Sequence, residues 1–291
     1  MKDFSNWREY EGASEGSGRS EKQWLINPET MEIGLFKYKK DEETTDHASE
    51  CIASDLAELI GLSCARFELG RYYGREGSFS YNIVEKDSME LVEGVHFISS
   101  LYSKFDVEKL MDTQTGEKYS LEMIASALKG FHLFEEFLPI LVFDFLIGNT
   151  DRHQSNWAFI KEENKYRLSL LYDNSSSLCA FVSESKIEKY LGRDKMLWKS
   201  LTDSKSKSLI RIFASDKNRP THTDVVKYLN RNYCRQTQNI VNQINKFVTK
   251  DKICDILKKY EEVLSEKRQL LITKYILTKK EILMDIYQRK E

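Results

Sequence analysis

The first third of the chain alternates short apolar runs with turn residues, whereas the remainder repeats its apolar residues at helical spacing. The apolar runs predict β-strands, at residues 23–26, 34–38, 65–73 and 79–85. One helix interrupts them, from about His47 to Ile60, because small and apolar residues recur there every three or four positions. Asp46 is the expected N-cap of this helix, and Gly61 is its expected end.

Helical periodicity dominates from about residue 88 onward. Helices are predicted at 121–128 and 131–145, and over nearly all of the region from about 187 to the end. One strand pair interrupts them, at 157–160 and 166–171, and a polar turn joins its two strands. We therefore predict an α+β fold. A small β-rich lobe, residues 1–86, is followed by a larger helical lobe, residues 87–291.

Composition narrows the class of protein. The chain has 291 residues and is 41% hydrophobic, which is enough for two lobes with cores of their own. Lys and Arg number 44 against 46 Asp and Glu, so the formal net charge is -2 and binding of nucleic acid through bulk charge is not expected. The five cysteines are scattered without a C-x-x-C pair, which indicates reduced thiols rather than a disulfide or zinc framework.

The apolar segments also indicate where the protein resides. The N-terminus is polar and acidic, so we expect no signal peptide. The longest apolar stretch, Phe131 to Ile147, contains one histidine and three acidic residues and is too short to span a bilayer. We therefore expect a cytoplasmic protein that does not associate with membranes.

The candidate chemistry surrounds the predicted strand pair. Asp151 and Asn156 lie in the loop that enters this hairpin, and Asp173 lies just after it. Because hairpin pairing returns the chain to its start, Asp173 is expected beside Asn156. Phosphoryl transfer from a Mg-nucleotide needs a carboxylate that orients the attacking hydroxyl, together with oxygen ligands for the metal. Asn and Asp are also common turn residues, so each alone could be an ordinary loop residue.

Two neighbours of Asp151 have ambiguous roles. His153 could help to position Asp151 or a phosphate, or it could hydrogen-bond its own backbone. Arg152 could pair with a phosphate or with a nearby acid. The residue types alone leave both questions open.

The loop and the residue after the hairpin resemble a known family. The residues that carry the resemblance are the run GNTDRHQSN at 148–156, followed by Tyr172 and Asp173. They are similar to the catalytic D-x-H-x-x-N motif and the metal-binding aspartate of the HipA-like Ser/Thr kinases. The chain resembles most the compact stand-alone members of that family, and more distantly the phosphoinositide kinases. The resemblance covers most of residues 12–180 and implies a bilobal, protein-kinase-like fold.

This resemblance implies roles for individual residues. Asp151 would be the catalytic aspartate, assisted by His153, and Asn156 and Asp173 would hold Mg²⁺. Lys37 would contact the α- and β-phosphates of ATP, and Glu50 would pair with that lysine. We favour Lys37 over its neighbours at positions 39 and 40 because it lies within the apolar strand. Glu50 could instead be a solvated helix residue.

A Gly/Ser-rich stretch stands directly before the first of the predicted strands. The resemblance implies that it covers the nucleotide phosphates, through residues Gly16, Ser17, Gly18, Arg19 and Ser20. Ser17 or Ser20 is the candidate for autophosphorylation, and the adenine would lie against residues 81–86, which include Glu85. A Gly/Ser-rich run by itself is often only a flexible linker.

The function implied is that of an ATP-dependent kinase acting on a Ser or Thr hydroxyl of a protein. For the substrate, the resemblance suggests an aminoacyl-tRNA synthetase or another translation factor. It also suggests a toxin role with a small antitoxin as partner. A lipid or small-molecule kinase, and a nucleotide-binding pseudokinase-like module, are the alternatives.

Overall fold

The computed structural model of the protein describes residues 1–12, 21–84, 86 and 88–288. The first part of these residues forms a curled six-stranded sheet. Its strands are β1 (Lys2–Asp3), β2 (Arg8–Glu9), β3 (Lys22–Ile26), β4 (Ile33–Tyr38), β5 (Phe67–Tyr72) and β6 (Arg75–Tyr81). They lie in the order β1-β5-β6-β4-β3-β2. The β1–β5 pair is parallel and the other pairs are antiparallel.

Alternation along β4 decides which side chains reach the rest of the protein. Phe36 is fully buried and lies opposite Phe79 of β6. With Phe4 and Trp7, these rings form a small aromatic core on one face of the sheet. Because successive side chains of a strand point to opposite faces, Lys37 lies on the other face, toward the helical part of the molecule.

One helix, α1 (Asp46–Leu59), packs against the sheet at β5 and β6. It ends as predicted, before Gly61, whose φ of 71° favours glycine. The predicted N-cap is wrong, because Asp46 is the first helical residue and Thr45 precedes it without a side-chain cap. The Asp46 carboxylate instead accepts hydrogen bonds from Thr44 Oγ1 at 2.7 Å and from the backbone N–H of Lys40 at 3.4 Å. It therefore braces the loop before the helix.

The second part of the chain is mainly helical. Its helices are α2 (Gly94–Leu101), α3 (Leu121–Leu128), α4 (Phe134–Ile147), α5 (Glu184–Leu191), α6 (Lys195–Lys199), α7 (His222–Phe247), α8 (Lys250–Lys258) and α9 (Glu266–Gln288). A 3₁₀ turn at 129–131 and a π-helical turn at 200–204 accompany them. α4 is buried along almost its whole length and packs against α7 and α9. Within the part of the chain that the structure describes, no helix combines the length and the hydropathy needed to cross a bilayer.

Five further strands lie in this second part, at β7 (Met89–Glu93), β8 (Phe105–Asp106), β9 (Met111–Asp112), β10 (Ala158–Glu162) and β11 (Lys165–Leu168). The predicted hairpin is the antiparallel β10–β11 pair, and β8 pairs with β9. The sequence pattern missed β7, which adds a third strand on the free edge of β10. The α+β architecture, with a curled β-sheet followed by a helical region, is confirmed. The division at residue 86 stays a prediction.

Gly94 gives a test of how tightly this region is packed around the indole of Trp157. A Cβ on Gly94 would lie 2.2 Å from two atoms of that ring, which is 1% exposed. The ring cannot move away freely, because its N–H donates to the Tyr119 hydroxyl at 2.8 Å. We expect Gly94→Ala to lower the free energy of unfolding by about 1–3 kcal/mol, measured by urea denaturation, despite the better helix propensity of alanine.

Gly130→Ala is the matched control for this substitution. No atom lies within 4 Å of the added Cβ at that position. The control is expected to change stability by less than about 0.5 kcal/mol. Equal stabilities for the two variants would contradict the packing described around Trp157.

Candidate functional site

The loop between α4 and β10 is organised by the guanidinium of Arg152, which is buried. Its Nε and Nη2 donate to the carboxylate of Asp144 at 3.0 and 2.7 Å. Nη1 donates to the backbone oxygens of Asn156 and Tyr172 at 2.6 and 2.9 Å, and Nη2 also donates to Asn174 Oδ1 at 2.7 Å. All five N–H donors of the side chain are therefore used. Arg152 pairs with an acid and is not free to bind a phosphate.

The same guanidinium joins the two halves of the candidate site. Because one nitrogen of Arg152 reaches the carbonyls of both Asn156 and Tyr172, the loop and the segment after the hairpin lie side by side, as the hairpin pairing predicts. The Tyr172 hydroxyl adds a second connection, since it donates to the carbonyl of Ser155 at 3.0 Å. Asn156 and Asp173 therefore lie in adjacent segments.

Backbone contacts fix the orientation of Asp151 and Asn156. The Asn156 Nδ2 donates to the carbonyl of Asp151 at 2.8 Å, so its amide oxygen remains for another ligand. The Asp151 N–H donates to Asn149 Oδ1 at 3.1 Å. Among the described residues, no hydrogen bond reaches the Asp151 carboxylate. Burial raises the pKa of Asp151, and the nearby His153 offsets part of that effect. The carboxylate is thus available to receive a proton.

His153 makes a contact with its own loop. Its Nδ1 accepts a hydrogen bond from the backbone N–H of Ser155 at 3.2 Å. This is the backbone role that the sequence left open. His153 shapes the loop and lies close enough to Asp151 and Asp173 to influence both carboxylates.

Lys37 forms the link between the sheet and this loop. Its Nζ lies 3.2 Å from Oδ2 of Asp173. Burial opposes both charges, yet the pKa of Asp173 is lowered, because Lys37 together with His153 and Arg152 outweighs burial. The pKa of Lys37 is raised, since Asp173 and Glu50 outweigh its own burial. Asp173 is also held at a φ of 55°, a left-handed conformation that a non-glycine residue seldom adopts.

The two competing lysines make other contacts, although Lys40 also lies near enough to Asp151 to lower its pKa. Lys39 pairs with Glu76 at 3.6 Å, and the Lys40 ammonium lies over the ring of Phe181 at 5.2 Å. Of the three lysines at the end of β4, Lys37 is the one whose ammonium pairs with Asp173. The assignment of Lys37 as the phosphate contact stays a prediction.

The predicted pairing of Lys37 with Glu50 is not a direct ion pair, although Glu50 is near enough to raise the pKa of Lys37. Glu50 is fully buried, and its Oε1 accepts the backbone N–H of Asn174 at 2.7 Å. No ion pair within 4.0 Å joins it to Lys37 in the described residues, and Oε2 has no hydrogen-bond partner there. The physical reason is that Lys37 is engaged by Asp173, while burial raises the pKa of Glu50 to about 7 and disfavours its charge.

A narrow cleft opens beside these groups. Its lining combines cationic, acidic and hydroxyl side chains, from Lys37, Tyr38, Lys40, Asp46, His47, Ser78, Asp173 and Ser175. The candidate phosphate-covering residues Gly16, Ser17, Gly18, Arg19 and Ser20, and the candidate adenine contact Glu85, lie outside the described residues.

Among the described residues, no group of three or more His, Cys, Asp or Glu side chains could hold a metal on its own. Asn156 and Asp173 supply two oxygen ligands. Mg²⁺ commonly binds through one or two protein ligands and completes its octahedron with phosphate oxygens and water. The donor set therefore fits a magnesium ion that arrives together with a nucleotide.

Sequence reasoning missed two residues that organise the site, Asp144 and Asn174. Asp144 carries the one charge within an otherwise apolar run of α4, FLPILVFDFLI, and is 3% exposed. A carboxylate in such a run needs a buried partner, so the pattern did contain a signal. Asn174 gave no such signal. Its contact with Glu50 joins residues more than a hundred positions apart in the sequence, and its contact with Arg152 joins residues about twenty positions apart.

Comparisons with known proteins concern the family and the fold of the chain. A model of the HipA-like C-terminal domain family matches residues 14–250. The serine/threonine-protein kinase CtkA of Helicobacter pylori is 27% identical over 150 residues, which are 48% of this chain and 43% of that protein. The chain thus matches less than half of that relative's length in sequence.

Two solved structures share the fold. The H. pylori proinflammatory kinase CtkA has a TM-score of 0.82 at 17% identity, covering 98% of this chain and 96% of that chain. HipA of Shewanella oneidensis MR-1, solved with HipB and its operator DNA, has a TM-score of 0.53 at 11% identity, covering 97% of this chain and 69% of that chain. At these identities the likeness establishes the fold alone.

The Arg152–Asp144 pair generates a prediction about stability. Arg152→Leu would leave the Asp144 carboxylate buried without its partner, so we expect a loss of about 3–5 kcal/mol in the free energy of unfolding. Replacing Asp144 by Leu as well is expected to recover part of that loss. Urea denaturation of both variants measures this.

The control is the exposed pair between Lys161 and Glu90, whose side chains are 39% and 67% exposed. Lys161→Ala is expected to cost at most about 1 kcal/mol because surface pairs contribute little. If Arg152→Leu were as mild as this control, the guanidinium would not hold the loop together.

Proposed function

The chain belongs to the HipA-like C-terminal domain family, and from this premise we propose that it is an ATP-dependent Ser/Thr protein kinase. The reaction would transfer the γ-phosphate of ATP to a hydroxyl of a protein substrate. The family and the relative named as a Ser/Thr kinase support the kinase class. ATP, Mg²⁺ and the substrate are parts of the proposal.

The observation that carries the proposal is the contact of Lys37 with Asp173. It places an ammonium from β4 at 3.2 Å from a carboxylate that follows the hairpin, with Asp151 near enough to influence the same ammonium. A cation that binds phosphates, a carboxylate that binds metal and a carboxylate that receives a proton are the parts that phosphoryl transfer requires. Here Lys37 and Asp173 come from distant parts of the chain and line one cleft, and Asp151 lies near enough to act on the same ammonium.

Asn156 and Asp173 would hold Mg²⁺ in this proposal. The Asn156 amide nitrogen is already used, which leaves Oδ1 as the ligand atom, and the Asp173 carboxylate stays ionised because its pKa is lowered. Bound Mg²⁺ would neutralise charge on the phosphate oxygens. Lys37 would contribute a second positive charge to the same phosphates.

Asp151 would orient the substrate hydroxyl and accept its proton. Its backbone is held by Asn149 and Asn156, while its carboxylate receives no hydrogen bond from the described residues. A fixed carboxylate contributes mainly through position, because it does not need to be ordered at the moment of reaction. His153 would act by keeping the loop in this conformation.

The partners stay proposals of the same kind. HipA of S. oneidensis occurs in a complex with HipB and operator DNA. By analogy, we propose a small regulatory protein that restrains this chain, with a translation factor such as an aminoacyl-tRNA synthetase as substrate. No contact in the described residues favours a lipid or a small molecule as acceptor.

Three substitutions test the assignment of the site. Asp151→Asn, Asp173→Asn and Lys37→Met are each expected to lower phosphoryl transfer by roughly 10²–10⁴-fold while the protein stays folded, because each removes one charged group from the reacting centre. Transfer of labelled phosphate from ATP with Mg²⁺, to the protein itself and to a generic protein acceptor, measures the effect. Circular dichroism and thermal unfolding check the fold.

Asp255→Asn is the control, since this aspartate lies exposed on α8. It is expected to keep the activity of the wild type. Full activity in Asp151→Asn would refute the catalytic assignment. ATP binding by the wild type without any transfer would favour the nucleotide-binding module instead.

The Gly/Ser-rich loop gives a separate prediction. We expect that incubation with Mg-ATP places phosphate on Ser17 or Ser20 and lowers activity, because a phosphate there would repel the nucleotide phosphates. Mass spectrometry of the tryptic peptides identifies the site, with Asp151→Asn protein as the control. Phosphate-free residues 14–20 in fully active wild-type protein would contradict this part of the proposal.

A further inference from the structure

A hydrogen-bonded series of buried polar side chains contacts the loop between α4 and β10. Three side chains form it: Lys279 of α9, Ser206 of the segment before α7, and His222, the first residue of α7. Their exposed fractions are 0%, 4% and 2%, respectively. Lys279 Nζ lies 2.9 Å from Ser206 Oγ, and Ser206 Oγ lies 2.9 Å from His222 Nδ1. His222 Nε2 lies 2.7 Å from the carbonyl oxygen of Asn149. This series of hydrogen bonds thus reaches the loop at Asn149, two residues before Asp151.

The direction of each hydrogen bond follows from the last one. A carbonyl oxygen only accepts, so Nε2 of His222 must carry the proton that it donates to Asn149. Burial, with the Lys279 ammonium adding to it, lowers the pKa of His222 to about 3, so the ring is neutral and Nδ1 accepts. The Ser206 hydroxyl therefore donates to His222 and accepts from Lys279. This series of hydrogen bonds fixes one tautomer of His222.

Asn149 passes this constraint on to Asp151. Its carbonyl is held by His222, and its side-chain amide donates to Asp144 at 3.2 Å. The Oδ1 of the same amide accepts the backbone N–H of Asp151 at 3.1 Å. Movement of the Asn149 carbonyl would therefore move the residue that carries the catalytic carboxylate.

A second contact confines the loop at Gly148. This glycine has a φ of 68°, and a Cβ on it would lie 2.1 Å from the Tyr275 hydroxyl. That hydroxyl lies 3.3 Å from Ser206 Oγ, so it belongs to the same polar cluster. The beginning of the loop is therefore held by a hydrogen bond at Asn149, and Tyr275 leaves no room for a side chain at Gly148.

We infer that His222 is a positioning residue for the phosphoryl transfer proposed above, and that the buried Lys279–Ser206–His222 chain sets the place of Asp151 through Asn149. This inference rests on the proposed function of Asp151. The geometry of the hydrogen bonds from Lys279 to Asn149 does not depend on that function. Burial lowers the pKa of Lys279 to about 7. Burying the polar groups of a lysine and a histidine here is costly compared with apolar side chains, which matches a role in fixing one loop conformation. Residues on α7 and α9, far along the sequence, thereby act on the reacting centre.

The experiment compares His222→Leu, His222→Gln and Thr237→Val. Leucine removes the bond to Asn149, whereas glutamine can place an N–H donor near the position of Nε2. Thr237 is the matched control, because it is fully buried and bonds Tyr287 of α9 at 2.8 Å, also between α7 and α9. Four quantities are measured for each protein: kcat, KM for ATP, hydrogen exchange of peptides covering 148–156, and the thermal midpoint.

We expect His222→Leu to lower kcat on the order of 10- to 100-fold with little change in KM for ATP, and to speed exchange in residues 148–156. His222→Gln is expected to recover most of kcat and of the slow exchange. Thr237→Val is expected to lower the thermal midpoint and to leave kcat and loop exchange as in the wild type. This pattern separates positioning from a general loss of stability.

The inference is overturned if His222→Leu matches Thr237→Val in kcat and in loop exchange. If His222→Leu does not fold, Ser206→Ala replaces it, since it removes the hydroxyl that fixes the tautomer and is expected to show the same pattern in milder form. If the wild type transfers no phosphate, the proposed function fails. Loop exchange then still decides whether His222 holds the loop.

Discussion

The arrangement of the site depends on one buried guanidinium. Arg152 uses all five of its N–H donors on the end of α4, on the loop between α4 and β10 and on the segment after the hairpin. A buried ion pair of this kind seldom adds net stability, because desolvation offsets the Coulomb attraction. It does penalise any arrangement in which a donor is left unpaired. The loop therefore has one favourable conformation, in which Asn156 and Asp173 lie in adjacent segments.

Charge in the cleft is unevenly supplied. Lys37 is influenced by Asp173, Glu50 and Asp151. The guanidinium of Arg152 also lowers the pKa of each of these three carboxyl groups, and Lys40 lowers that of Asp151. Burial nevertheless outweighs the cations at two of the three, because it raises the pKa of Glu50 to about 7 and also raises that of Asp151. A divalent cation would relieve the same imbalance without protonating an acid. The electrostatics of the cleft and the proposed use of Mg²⁺ are consistent with each other.

Local patterns in the sequence were sufficient for several of the elements and for part of the site, but not for the strands and the helix between residues 89 and 112. The spacing of apolar residues predicted α1 and the β10–β11 hairpin, and the position of Lys37 within the apolar strand β4 favoured it over Lys39 and Lys40. Local patterns could not predict contacts between residues that lie far apart in the sequence. Lys37 meets Asp173 rather than Glu50, and Glu50 meets a backbone N–H of Asn174, because the packing of the two regions decides which partner is near. His222 carries no local signal at all, since its role depends on where α7 meets the loop.

The central claim is that this cleft binds a magnesium nucleotide between Lys37 and the pair Asn156 and Asp173. A crystal structure with Mn²⁺ and a non-hydrolysable ATP analogue tests it most directly, because the anomalous signal of Mn²⁺ locates the metal independently of the protein. We predict a metal bound by Asn156 Oδ1 and the Asp173 carboxylate, at about the 2.1 Å typical of Mg²⁺, with the phosphates in contact with Lys37. A nucleotide or metal bound away from these three residues would contradict the account.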